Sequence, residues 1–247
     1  MSLLTVERIK LASTRSPWWC AAIAVGLSIG LTVLISFGSK STGRNGETFA
    51  MGLRETIVGG AQFGLAVIMI MATLAVTTEY RFGIIRTTFQ AAPNRTAVVL
   101  TKALLLAVVS AVLALVIAFT SVLLARLITG AELPVSSAAD WRTTAGLALV
   151  YALAAVLAVA VGTLLRQSAG AIALLLLFPL VVENLVQLIP NVGADIYKWM
   201  PFVNADNFLG TASGRDLLGP WSSLGYFAAV VVAVLAVALV VVNRRDA

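Results

Sequence analysis

Six long apolar stretches, each about the length that crosses a bilayer as a helix, decide most of what this chain can fold into. They run from Trp18 to Phe37, Ile57 to Thr78, Ala103 to Ala125, Ala145 to Leu165, Ser168 to Ile189 and Leu224 to Val242. A lipid core asks for about 20 apolar residues per spanning helix. In a chain of 247 residues, six such spans leave connections too short for a sizeable aqueous domain, so any large soluble domain must come from another polypeptide. Composition agrees: 60% of the residues are hydrophobic and 11% charged, against roughly 45–50% and 25% in soluble domains. The expected fold class is all-α and polytopic, with residues 1–247 forming one transmembrane domain. The first run is longer than a usual signal-peptide core, and Ser36-Phe37-Gly38-Ser39-Lys40 is a poor cleavage site, so it reads as a retained anchor.

Charge sets the expected orientation. With a cytoplasmic N-terminus the inner segments hold Arg8, Lys10, Arg15, Arg81, Arg86, Arg95, Lys102, Arg166, Arg244 and Arg245, the majority of the basic residues, as the positive-inside bias requires. Seven acidic residues, Glu47, Glu55, Glu132, Asp140, Asp195, Asp206 and Asp216, then lie outside. The expected location is the cytoplasmic membrane, multi-pass, with both termini cytoplasmic. The net charge of +6 flanks spans, where lipid headgroups account for it, so no nucleic-acid partner is expected. The chain has no histidine, which removes the commonest metal ligand and general base. Its single cysteine, Cys20, excludes an intrachain disulfide. No metal site or catalytic residue is expected.

The connections are unequal. Arg166-Gln167 alone separates spans four and five and forces a tight hairpin. The outer segment 190–223 contains prolines, Trp199, Trp221 and apolar pieces too short to span, which suit short re-entrant or interfacial helices. The inner loop Glu79 to Lys102 is long and charged. Projected at 100° per residue, Phe82, Ile85, Phe89 and Ala92 share one side while Thr87 and Gln90 face away, and Pro93 stops the helix. Residues 79–92 therefore read as a short amphipathic helix, either lying on the headgroups or docking into a partner's groove.

Glu183 is the one ionisable residue deep in a run. A charge there costs roughly 2.5–3.5 kcal/mol on insertion scales, so it should face protein or water. With Asn184, Gln187 and Pro179 it makes a polar stripe, which reads as a lining of a translocation route or gate, as a buried network pinning the span, or as a carboxylate reaching water. Small residues at four-residue spacing, Ala22-Gly26-Gly30 and Gly60-Gly64, allow close helix approach within one subunit or between subunits. Trp18, Trp19, Trp141 and Trp221 read as interfacial anchors.

The string Glu79-Tyr80-Arg81-Phe82-Gly83, followed by Ile85-Arg86-Thr87-Thr88, by Pro93-Asn94-Arg95 and by Lys102, resembles the ABC-2 type transporter permeases. Ile84 and Phe89 depart from that family's usual threonine and aliphatic residue. The segment Glu7-Arg8-Ile9-Lys10-Leu11 is similar to the family's basic elbow, here residues 1–17. The resemblance implies the membrane subunit of an exporter that works by alternating access. It pairs with a second copy or a related permease and is driven by a separate ATP-binding cassette ATPase that holds the ATP and magnesium. Residues 79–92 would be its coupling helix, with Glu79, Tyr80, Arg81, Phe82, Gly83, Arg86 and Thr87 in the coupling contact. The chain has no G-x-x-x-x-G-K-[ST] phosphate loop and no cofactor of its own is expected. A membrane scaffold or channel without an ATPase is the alternative. An intramembrane enzyme would need more than Glu183 can supply.

Overall fold

The computed structural model describes residues 3–42, 52–92, 94–130, 135–190, 192–212 and 217–244. Within them six helices are long and apolar enough to cross a membrane: Arg15–Gly38, Arg54–Arg81, Arg95–Thr129, Ala138–Leu165, Ser168–Val186 and Pro220–Arg244. Five of the expected spans fall within these helices, which extend further because polar end-turns continue the same backbone hydrogen bonding; the span expected from Ser168 to Ile189 ends at Val186.

The elements in chain order are α1 (Leu3–Ser13), α2 (Arg15–Thr42), α3 (Leu53–Arg81), α4 (Ile84–Ala91), α5 (Arg95–Thr129), α6 (Ala138–Leu165), α7 (Ser168–Leu177), a π-helical turn (Phe178–Val182), α8 (Glu183–Val186), α9 (Gly193–Tyr197), α10 (Pro201–Leu209) and α11 (Pro220–Arg244). Their ends carry local signals. The Asn94 side chain accepts the Ala97 N–H at the start of α5, and Gly130, with φ +67°, ends it in the left-handed region. At the start of α6, Ser137 and Asp140 cap each other's backbone N–H groups. Arg166 takes φ +55° and Gln167 opens α7, so the two-residue hairpin between spans four and five is present.

Helix α6 is the centre of the bundle and packs against α3, α5, α7 and α11. Tyr151, Ala154, Ala155, Ala158 and Val159 on it are fully buried, because small side chains let the neighbouring backbones close in. Helices α2 and α3 approach closely. A Cβ built on Gly60 would lie 2.6 Å from the Ser28 carbonyl oxygen, and one on Gly64 would lie 2.2 Å from Ser28 Oγ. The Gly60-Gly64 pair thus packs within the subunit. Gly26 and Gly30 have nothing within 4 Å of such a Cβ and lie on the outward face of α2.

Side-chain bonds between helix ends fix the topology. Arg95 Nη1 donates to the Val242 carbonyl and Asn243 Nδ2 to Thr96 Oγ1, placing the end of α11 beside the start of α5. Ser168 Oγ donates to Thr77 Oγ1 at the same end. At the opposite end Arg142 Nε donates to the Phe208 carbonyl. The helix α1 and the end of α11 therefore share one end of the bundle, hereafter the basic end.

Candidate functional site

Two polar clusters, one at each end, contain nearly all the buried charge. At the basic end α5 matters for its length. Its 35 residues make a helix of about 52 Å, longer than a hydrocarbon core of about 30 Å, and Lys102 sits two turns inside its start. Lys102 Nζ reaches Glu7 Oε2 at 2.5 Å and Glu79 Oε1 at 2.9 Å. Lys10 Nζ reaches Glu7 Oε1 at 2.9 Å, Glu79 Oε1 at 3.1 Å and Thr88 Oγ1 at 3.3 Å. Two carboxylates and two ammonium groups thus tie α1, the last turn of α3, α4 and α5 into one joint. Glu7, Glu79 and Lys102 are buried there. Burial pushes the Glu7 carboxyl up, but the Lys102 charge and the hydrogen bonds from Lys102 and Lys10 outweigh it and hold the group below 4.5. Burial lowers the Lys10 ammonium, and its bonds and charge contacts with Glu7 and Glu79 raise it above 10.5.

This geometry revises the single helix expected over 79–92. Glu79, Tyr80 and Arg81 form the last turn of α3, and Gly83 at φ +71° then breaks the chain before α4. A Cβ on Gly83 would touch nothing, so the glycine is there for its backbone conformation, not for close approach to a neighbour. Glu79 is consumed by the ion joint, and Tyr80 lies half-buried under the Arg166 guanidinium, 5.0 Å from its ring centre. The inward side of α4 is Ile85, buried, with Phe89 and Ala92 partly covered, whereas Phe82 is 68% exposed. Phe82 leaves the expected apolar face because the turn at Gly83 resets the helical phase. Arg81, Gly83, Ile84, Arg86 and Thr87 are exposed. Pro93, expected as the stop, lies outside the described residues.

Beside the ion joint is a cavity of about 350 Å³ between the α1–α2 junction and helices α3 and α5. Its floor is Glu7, Lys10, Glu79 and Lys102, and Met71, Leu74, Ala75 and Leu105 are among its apolar walls.

The other cluster centres on Glu183. Pro179 has no N–H to give, and the chain widens into a π turn in which the Glu183 N–H reaches the Phe178 carbonyl. This turn sets Glu183 towards α10. Its carboxylate accepts the N–H groups of Phe202 and Val203 at 2.9 and 3.1 Å, the first-turn donors of α10 that no intrahelical carbonyl can satisfy. The C-terminal end of α10 is held in the opposite sense, by Arg142 Nε on the Phe208 carbonyl and Thr143 Oγ1 on the Leu209 carbonyl, both 2.8 Å. A carboxylate at its N-terminus and a guanidinium at its C-terminus both complement the helix dipole. Of the expected polar stripe, Pro179, Glu183 and Asn184 line one cavity together with Tyr197, and Gln187 pairs with the Tyr197 side chain. Asn184 is exposed and turns its amide back to the Pro179 and Leu180 carbonyls, and Gln187 is exposed. This cavity, smaller than the first at about 190 Å³, lies against Glu183, Gln62, Tyr197 and Asp206. Gln62 Nε2 donates to both Asp206 oxygens, at 3.2 and 3.3 Å. Burial pushes the Asp206 carboxyl up to about 6, with the Gln62 hydrogen bond pulling against it.

Glu7, Lys10 and Lys102 as partners of Glu79, and Asp206 and Gln62 beside Glu183, are functional candidates that sequence reasoning missed. Only the first set left a trace: Glu79 closes one span and Lys102 opens the next, opposite charges at mirrored positions of a helical hairpin.

The fold is that of a polytopic helical membrane protein with a buried ionic joint at one end and a doubly capped helix at the other. Residues 22–247 match the family model described as a protein of unknown function, DUF2705, and the chain belongs to that family. This overturns the expected membership of the ABC-2 type permeases: no match to that family accompanies it. The physical reason is that the residues of the resembling string serve local needs here, Glu79 pairing with Lys10 and Lys102 and Gly83 turning the chain from α3 into α4. No curated protein matches the chain.

Proposed function

We propose that this chain is the membrane subunit of a transport system powered by a separate ATP-hydrolysing protein, with the basic end facing the cytoplasm. The observation that carries the reading is the ion joint. Through Glu7, Lys10, Glu79, Thr88 and Lys102 a surface helix, a terminal helix and two spans are fastened at one point. A push on α4 is therefore passed to α3 and α5 as a rigid displacement. Beside it, Arg81, Phe82, Ile84 and Arg86 form an exposed basic and apolar knuckle suited to an acidic, grooved partner. In this reading nucleotide hydrolysis belongs to that partner, and the chain itself carries no G-x-x-x-x-G-K-[ST] string. The Lys/Arg bias supports the orientation. A second copy of the chain belongs to the same reading, with the largely uncovered apolar faces of α2, α7 and α11 shared between it and lipid.

Affinity purification of the tagged protein from its own membranes in mild detergent tests the proposal. A chain that is photolabelled by an azido-ATP probe should be recovered in near-equal amount. Recovery of the protein alone, or with partners that bind no nucleotide, would favour the scaffold or channel alternative.

A further inference from the structure

The cavity at the basic end has a floor and walls of opposite character. Along α3 it runs from Glu79 to Met71, eight residues or about 12 Å of helix, which is the distance from headgroup depth well into the hydrocarbon layer. Leu105 on α5 and Pro17 at the α1–α2 junction close its sides. A volume of about 350 Å³ lies in the range of small-molecule sites, which start at about 300 Å³.

The floor specifies the headgroup. Glu79 Oε2 is buried and has no hydrogen-bond partner, whereas its other oxygen accepts from both lysines. Oε2 is closed to water, so a ligand in the cavity meets the four charged groups as a set. All three protons of Lys10 are directed to Glu7, Glu79 and Thr88, and two of Lys102 to Glu7 and Glu79, so the two ammonium groups have one proton between them to offer an anion. The four charged groups balance. A cationic head would add an uncompensated buried charge, and an anionic head would meet two carboxylates.

We propose that this cavity binds a neutral amphipathic molecule whose hydroxyl-type head rests on the charge-balanced floor of Glu7, Lys10, Glu79 and Lys102 and whose apolar tail lies against Met71, Leu74, Ala75 and Leu105. The inference deepens the transport reading and rests on it only for what the bound molecule means, namely the substrate class or an activating lipid. The chemistry is the same for both sources.

The test uses the full chain in lipid nanodiscs and a long-chain fatty alcohol with a diazirine in its tail as the probe. Photolabel should map by mass spectrometry to residues 71–75 of α3 or 105–106 of α5. A monoacylglycerol should compete, whereas the trimethylammonium and fatty-acid compounds of equal chain length should not. Ala75→Leu fills the cavity and should cut labelling about tenfold. Leu105→Phe, filling it from α5, should do the same should the first variant fold poorly. Labelling confined to lipid-facing positions, labelling unchanged in a folded filled variant, or equal competition by the charged compounds would overturn the proposal. Loss of the monoacylglycerol competition alone would overturn it as well. A transported substrate and a resident lipid are separated by whether adding ATP and the partner before irradiation abolishes the labelling. Occupancy is read without nucleotide, so a negative result leaves the ATPase reading to its own experiment.

Discussion

The Glu183 carboxylate holds the backbone N–H of Phe202 at 2.9 Å, nineteen residues further along the chain. The one carboxylate deep in the apolar runs is thus used as the cap of a short helix, and a costly charge becomes the anchor of the segment that follows it. Removing it in Glu183→Ala strands two buried donors, at about 1–3 kcal/mol each. Glu183→Gln keeps one acceptor and should lose about half as much. Thermal unfolding in nanodiscs and amide exchange at Phe202 and Val203 measure this. Unchanged exchange in Glu183→Ala would refute the cap.

The ion joint should depend on pH at both extremes. Glu7 has a folded pKa below its ordinary 4.5, so its contribution is complete above 4.5 and is lost as pH falls through the lowered value. Lys10 is raised above 10.5, so its contribution is complete below 10.5 and is lost as pH rises through the raised value. Amides of α1 should be protected at neutral pH and exchange freely beyond either limit. Lys102→Met leaves Glu7 and Glu79 short of a partner and should cost about 3–5 kcal/mol.

Much of the membrane architecture was legible because lipid imposes a length and a composition on each span. The hairpin at Arg166-Gln167 followed from its two-residue connection. The sites were less legible. The cost of burying Glu183 was visible, but its partner was not, because the orphan donors of α10 come beside it only when the chain after α8 folds back on it. Pro201 at the first position of α10 was the available sign of a helix start there. Glu79 was placed on the surface helix because periodicity alone cannot see that Gly83 adopts φ +71° and resets the phase.

Asp206 offers the opposite pH sign. Its folded pKa of about 6 lies above its ordinary 3.8, so the protein is favoured by protonation below 3.8 and loses that advantage as pH rises through about 6. Asp206→Asn should therefore stabilise the chain at pH 8 and have little effect at pH 4. Equal shifts in thermal unfolding at the two pH values would show that burial does not govern this carboxyl.

Glycines on the two faces of the α2–α3 pair should respond differently. Gly60→Ala drives a Cβ against the Ser28 carbonyl and should cost about 1–3 kcal/mol by overpacking. Gly26→Ala meets nothing and should be neutral or slightly stabilising through helix propensity. Thermal unfolding of the two variants side by side reads the difference.

The central claim is that the knuckle around α4 receives force from an ATP-hydrolysing partner, and Arg81 and Arg86 test it most directly. A basic residue held only by anionic lipid is worth about 1 kcal/mol, whereas truncating one side of a buried interface ion pair costs about 2–5 kcal/mol. The decisive measurement is the ATPase turnover and subunit stoichiometry of the complex in nanodiscs for Arg81→Ala, Arg86→Ala and the double variant. The account predicts loss of the partner or of turnover, with membrane insertion and α1 protection intact. Wild-type assembly and turnover in the double variant would contradict it, and would leave α4 as a helix that lies on lipid.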